Sequence, residues 1–149
     1  MRILGIDYGT ARIGLALCDE LEIAAHALPN LECDGGELDR LAALCAEKEV
    51  RLIVVGLPLR MDGSEGPAAR KVRGFAKDLR RCVRGIDVQF ADERLTSAQA
   101  HSALSLMGAG SRQRRRDVDG MAAQLILQRV LDRRAAERRA TGTDQADRN

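Results

Sequence analysis

Short apolar runs broken by turn residues fill the first sixty positions. Residues 2–7 (RILGID) are apolar and closely followed by Gly9, the pattern of a buried strand. Residues 12–19 (RIGLALCD) alternate apolar and small side chains and predict a second strand, with Tyr8-Gly9-Thr10-Ala11 as a hairpin turn. Residues 22–31 make a third candidate strand, ending near Pro29-Asn30. The period then changes. Leu38, Leu41, Ala42 and Cys45 fall at i, i+3, i+4 and i+7, predicting a helix from Glu37 to Glu49. Residues 51–57 (RLIVVGL) return to a continuous apolar run, as in a strand covered on both faces.

Pro58 to Gly66 reads as a loop turning at Asp62-Gly63. Pro67 suits a first helical turn, and Ala68, Val72, Phe75, Ala76 and Leu79 give that helix an apolar face to about Arg81. Residues 86–91 (IDVQFA) predict a fifth strand. Thr96-x-x-Gln99 is a capping box opening a helix to Met107. Gly108 to Arg116 reads as a Gly/Ser/Arg loop, and a last helix is expected from about Asp117 to the late 130s. Residues 141–149 (TGTDQADRN) are polar, so residues 1–138 are expected to form one domain and 139–149 a disordered tail. The order βββαβαβαα implies an α/β protein with a mixed five-stranded sheet and helices on both faces.

A chain of 149 residues fits one domain of ordinary size. Its 45% hydrophobic and 31% charged residues are a globular balance. No apolar run is long enough for a membrane span. Asp7 arrives too early for a secretory signal, so a cytoplasmic location is expected. The only aromatic residues are Tyr8, Phe75 and Phe90, which argues against binding single strands by base stacking.

The net charge of +2 hides an asymmetry: residues 1–69 carry −6 and residues 70–149 carry +8. Such a split suggests an anionic partner engaged by the second half. Arg outnumbers Lys 21 to 3, which suits phosphate forks but equally follows from a codon-composition bias. Cys18, Cys33, Cys45 and Cys82 show no CxxC spacing and are expected to be reduced, small, buried residues. With only His26 and His101, neither a zinc pattern nor a Ser-His-Asp arrangement is supported. Any catalysis must come from carboxylates, arginine or bound metal.

Carboxylates do occur at unusual places. Asp7 ends a central strand, Asp92 and Glu93 end the fifth strand, and Asp119 is expected in the first turn of the last helix, beside Ala122, Ala123 and Ile126. A lone carboxylate there costs several kcal/mol unless it is paired, neutralised or metal-bound. Hard oxygen ligands suit Mg²⁺ or Mn²⁺, and three convergent carboxylates could hold two ions ~3.5–4 Å apart. Each acid also has a structural alternative. Asp119 could complement its helix dipole, Asp92 could pair with Arg94, and Asp7 could accept the amides of the Gly9-Thr10 turn. The Gly9-Thr10 turn with Arg12-Ile13-Gly14 resembles the phosphate-approaching hairpin of a nucleotide-handling superfamily, which puts Thr10 and Arg12 among the phosphate-binding candidates. A plain hairpin, with Gly9 permitting positive φ, is the alternative.

Four motifs in order carry a closer resemblance. They are Asp7-Tyr8-Gly9-Thr10-x-Arg12-Ile13-Gly14, Gly56-Leu57-Pro58-Leu59-x-x-Asp62-Gly63-x-x-Gly66-Pro67, Asp92-Glu93-Arg94-Leu95-Thr96 and Val118-Asp119-x-x-Ala122-Ala123. Over roughly residues 1–132 the chain resembles the YqgF family, also called RuvX, of compact bacterial RNase H-like proteins. The resemblance implies a RuvC-like fold and a metal-dependent nuclease acting on the 5′ end of pre-16S rRNA, or resolving Holliday junctions. It maps an acidic triad onto Asp7, Glu93 and Asp119 as catalytic metal ligands for Mg²⁺ or Mn²⁺, with Glu93 chosen over Asp92. Asp117 stands where family members often carry a basic residue, and Ala11 replaces a common Lys.

Arg112, Arg114, Arg115 and Arg116 lie directly before Asp119, and Arg94 follows Glu93. All five are candidates for phosphate contact. Arg70, Lys71, Arg73, Lys77, Arg80, Arg81 and Arg84 mark a second basic stretch, which also fits a solvated helix face. The expected partner is nucleic acid, RNA before branched DNA, with ribosome precursors as its setting and no membrane. The reading of another class is a non-catalytic nucleic-acid-binding or ribosome-assembly module.

Overall fold

The computed structural model describes the backbone of residues 1–93 and 111–147, and the side chains of 1–93 and 120–142. Its five strands are β1 (Arg2–Tyr8), β2 (Arg12–Cys18), β3 (Ala25–Glu32), β4 (Val50–Leu57) and β5 (Asp87–Asp92). Its helices are α1 (Glu37–Glu47), α2 (Pro67–Cys82) and α3 (Ser111–Asp147). The sheet order is β3-β2-β1-β4-β5. β1, β2 and β3 form an antiparallel meander, whereas β4 lies parallel to both β1 and β5. The C-terminal ends of β1, β4 and β5 therefore share one edge of the sheet, where loops carry function in such folds.

Side-chain alternation divides the core into two layers. Leu4, Ile6, Ile13, Leu15, Ile53 and Val55 point to the side covered by α1 and α2, where they meet Leu41, Val72, Phe75 and Leu79. Ile3, Ala16, Leu52 and Val54 point to the other side, under Ala123, Ile126, Leu127, Val130 and Leu131 of α3. Tyr8 and Phe75 stack on the first side with centroids 4.4 Å apart. Helices on both faces of a mixed sheet match the expectation from the strand order.

The ends of elements depart from the sequence pattern. β3 begins at Ala25 rather than residue 22, because the carboxylate of Asp19 accepts the amides of Ile23 and Ala24 and Glu22 adopts a positive φ of 58°. Glu22 itself is buried and bonded to Arg134 and Arg138 of α3. α1 ends at Glu47, since Glu49 also turns to positive φ. In α2 the buried position is Ala69, not Ala68, so the apolar face starts one residue later. Cys18 and Cys45 are buried and burial pushes the Cys45 thiol up to about 11, but Cys82 is exposed because it ends α2 on its solvent side. All four cysteines are free.

The largest difference concerns the last helix. Its backbone is helical from Ser111, so positions 111–116 of the expected basic loop, with Arg112, Arg114, Arg115 and Arg116, belong to α3 instead. Asp119 consequently sits in the third turn rather than the first. Arg and Gln are good helix formers, and a charged run with no breaker continues a helix as readily as a loop. The helix also continues to Asp147, past the late 130s. The expected helix over 96–107 lies outside the described residues.

α3 is fastened to the outer strand by glutamines. Gln124 Nε2 donates to the Ala25 carbonyl at 3.0 Å, and the Ala25 amide donates to Gln128 Oε1 at 2.9 Å. Among the described residues, no helix is long and apolar enough to cross a membrane.

Candidate metal and nuclease site

The sheet brings Asp7 and Glu93 together from strands that are not neighbours. Alternation along β1 buries Ile6 toward α1 and α2, so Asp7 faces α3. Alternation along β4 likewise turns Gly56 to the α3 side. Glu93 follows β5 directly, and its amide donates to the Leu57 carbonyl at 3.3 Å, which fixes its backbone beside the end of β4. Its side chain then lies over Gly56. A Cβ on Gly56 would stand 2.5 Å from Glu93 Oε2 and 2.6 Å from Ile126 Cδ1. The missing side chain is what lets the carboxylate and α3 both reach the strand.

The pleat turns the two neighbouring acids differently: Glu93 points inward, whereas Asp92 is exposed. Glu93 Oε2 is buried without a hydrogen-bond partner among the described residues. Burial pushes the Glu93 carboxyl above the ordinary carboxylate range, and the negative charge of Asp92 adds to this, while a hydrogen bond with Asp7 pulls the other way. Two carboxyl groups in contact cannot both ionise cheaply without a cation or a shared proton. Among the described residues, no group of three His, Cys, Asp or Glu gathers to hold a metal. The third expected ligand, Asp119, has its side chain outside the described residues. Its helix places Ala123 against Gly5, where an added Cβ would be 3.1 Å from the Ala123 carbonyl.

The phosphate candidates divide by position. Thr10 is exposed in the β1–β2 turn. Gly9 keeps that turn tight by sterics rather than by positive φ, since its Cβ would lie 2.6 Å from the Arg12 carbonyl oxygen. Arg12 opens β2 on the α3 side, because Ile13 faces the other way. It borders a groove of about 550 Å³ lined also by Asn30, Glu32, Gly120 and Gln124. Sequence reasoning missed Asn30, Glu32 and Gln124 as lining of this groove; the mixed polarity of β3 was the available signal for the first two. Arg94 lies outside the described residues, as do the side chains of Arg112, Arg114, Arg115 and Arg116. The Pro58–Gly66 segment forms a short turn in which Asp62 accepts the Ser64 amide at 2.9 Å, and it leads from the site edge of β4 into α2.

A five-stranded sheet in this order, with one acid ending the central strand β1 and another directly after the edge strand β5, is an RNase H-like fold of the RuvC type. Solved structures agree on the fold. Thermus thermophilus RuvC in complex with a Holliday junction substrate aligns with a TM-score of 0.55 at 18% identity, covering 91% of this chain and 96% of that one. A Fowlpox virus resolvase complexed with Holliday junction DNA aligns with a TM-score of 0.52 at 11% identity, covering 88% and 99%.

Sequence comparison is more specific. The profile of the RuvX family, described as a Holliday junction resolvase, matches residues 1–133. A protein of Anaeromyxobacter sp. (strain K) named "Putative pre-16S rRNA nuclease" is 46% identical over 137 residues, 91% of this chain and 99% of the relative. One of the same name from Syntrophus aciditrophicus (strain SB) is 44% identical, covering 100% and 99%. The chain belongs to the RuvX family. By class it is a nuclease, an enzyme that hydrolyses phosphodiester bonds, and nucleic acid is its partner.

Proposed function

We propose that this chain is a divalent-metal-dependent endonuclease that cleaves RNA, trimming the 5′ end of pre-16S rRNA during ribosome biogenesis. The observation that carries the metal is the buried, unpartnered Oε2 of Glu93, in a carboxyl group that also touches Asp7. An orphaned carboxylate oxygen beside a second carboxylate fits a hard cation, and a donor set of oxygens suits Mg²⁺ or Mn²⁺. Asp7 and Glu93 would hold it, with Asp119 as the third ligand implied by family membership. Such ions, when bound, activate water and stabilise the leaving oxygen of a phosphodiester.

The chain's own residues supply the remainder. Asp7 is fixed by its strand, with Gly14 opposite it in β2. Glu93 is held by its backbone bond to Leu57, and its Oε2 is buried over Gly56. Thr10 and Arg12 at the neighbouring turn, and the arginines that open α3, would take the phosphates on either side of the scissile bond. Names of the relatives favour the RNA reading. The family description favours branched DNA as a second reading.

Parallel Mg²⁺-dependent cleavage assays on precursor 16S rRNA and on four-way DNA junctions test both. Wild type is expected to cleave the RNA. Asp7→Asn, Glu93→Gln and Asp119→Asn are each expected to lose more than about 10²-fold, the upper end of what outer-shell changes cost at metal sites. Undiminished cleavage by Asp7→Asn overturns the assignment of the site, and cleavage of junctions alone overturns the substrate.

A further inference from the structure

The exposed face of α2 carries more positive charge than its folding explains. Six of its sixteen residues are basic (Arg70, Lys71, Arg73, Lys77, Arg80 and Arg81) against the single acid Asp78. All seven are exposed, while Ala69, Val72, Phe75, Ala76 and Leu79 form the buried face. Helical spacing puts Arg70, Gly74, Lys77 and Arg81 in one stripe about 16 Å long. Gly74 has nothing within 4 Å, so the middle of the stripe is open and flat.

A merely solvated helix would intersperse acids three or four residues from its cations. Here the one acid, Asp78, lies at that spacing from Arg81 alone, while Arg73, Lys77 and Arg81 follow one another at i, i+4, an arrangement that costs helix stability. Arg70 and Lys71 lie near the N-terminus, where the helix dipole disfavours cations and the first turn has no acid. Among the described residues, Arg70, Lys71, Lys77 and Arg81 have no ion pair. Arg73 and Arg80 are held differently: both guanidinium groups lie over the Phe90 ring, at 4.9 and 5.4 Å, and Arg80 donates to the Val88 carbonyl. Arg73 also pairs with Glu65.

The placement gives this charge a direction. Phe90 lies in β5, the edge strand that ends at Asp92, directly before Glu93. α2 starts at the same end of the sheet and runs back along β4 and β5 on the opposite face from α3. A strand lying at Asp7 and Glu93 can pass around the β5 edge, past Arg73 and Arg80, and onto the stripe.

We propose that the exposed face of α2 is a second nucleic-acid surface, binding the phosphate backbone of the RNA substrate several nucleotides away from the scissile bond. This rests on the RNA-nuclease reading above. The stripe matches roughly the rise of five stacked nucleotides. It works by charge along a backbone rather than by base stacking, which suits a chain with so few aromatic residues.

The test is fluorescence anisotropy in EDTA, so that no cleavage occurs, with a labelled RNA covering the 16S 5′ end and a second RNA of about four nucleotides. The triple variant Arg70→Gln/Lys77→Gln/Arg81→Gln is compared with wild type and with Arg129→Gln/Arg133→Gln/Arg139→Gln, which removes equal charge from exposed positions of α3. Circular dichroism checks the fold of all three. The α2 variant is expected to bind the long RNA about 10–100-fold more weakly at low salt, with a log–log salt slope shallower by about 2–3. The short RNA should show no such difference. Equal binding by wild type and the α2 variant, equal loss in the α3 control, or equal loss on the short RNA overturns the proposal. An acidic protein as the true occupant would appear as the first of these. Failure of the nuclease reading is separable, since it would leave wild type unable to cleave while the binding difference persists.

Discussion

On the face covered by α1 and α2, branched and aromatic side chains meet side chains: Leu4, Ile6, Ile53 and Val55 against Val72, Phe75 and Leu79. On the face covered by α3, small residues sit among the branched ones: Gly5 lets the Ala123 carbonyl and Leu127 come close, and Gly56 leaves room for Glu93 and Ile126. The first layer is built for burial of apolar area, the main favourable term in folding. The second gives up side-chain volume so that a helix can approach the strand ends where Asp7 and Glu93 stand. The candidate site thus lies on one side of the sheet and the larger apolar layer on the other.

The sharpest way to test that division is to damage the first layer alone. Leu79, fully buried on α2, lies toward the end of the helix away from the acids. Leu79→Ala is expected to cost about 2–5 kcal/mol in urea unfolding. Cleavage of a short RNA per folded molecule should be unchanged, and a parallel loss of turnover would show that the two faces are not separable.

Damage to the second layer should do the reverse. Gly56→Ala forces a Cβ into Glu93 Oε2 and Ile126 Cδ1. A cost of about 1–3 kcal/mol is expected from overpacking. Cleavage should fall by more than that loss of folded protein accounts for, as read by turnover at saturating Mg²⁺.

Glu93 sharpens the contrast from another direction. Burial raises its folded-state pKa, so ionising it costs more in the folded chain than in the unfolded one. In metal-free protein its contribution is therefore fully present below the ordinary carboxylate pKa and is lost as pH rises through the raised value. Glu93→Gln should remove this pH dependence. At neutral pH it should raise stability by about 1 kcal/mol, or roughly 2–4 °C in Tm, while abolishing cleavage. A lower Tm for that variant in EDTA would contradict the reading of a strained, orphaned carboxylate.

The smallest effect is expected at Gly74, which faces open space on α2. Gly74→Ala should stabilise the chain by about 0.5–1 kcal/mol in thermal or urea unfolding, the helix-propensity difference between the two residues. Destabilisation there would mean that the face is not free. Gly74 and Gly56 together make one residue type report opposite things on the two sides.

Much of this architecture was legible because periodicity is a direct imprint of burial. The run RLIVVGL could only be a strand covered on both faces, and Leu41 with Cys45 marked the buried side of α1. Ends were less legible. Nothing in SRQRRRD distinguishes a loop from the start of a helix, because the run holds no apolar residue whose spacing could set a period. The start of β3 depended on Asp19 capturing two amides, which no hydrophobic pattern signals. In the site, Asp7 and Glu93 were legible as acids at strand ends. The inward turn of Glu93 rather than Asp92 required the pleat, and the room made by Gly56 required the helix above it.

The glutamine contacts of α3 with Ala25, and the hold of Arg80 on Val88, have one more consequence. Ala25 and Val88 belong to the two outermost strands, and side chains from the helices occupy backbone groups of both. A sheet so fringed is a poor template for another extended chain to join. At those two points an added strand would have to displace a side chain before it could pair.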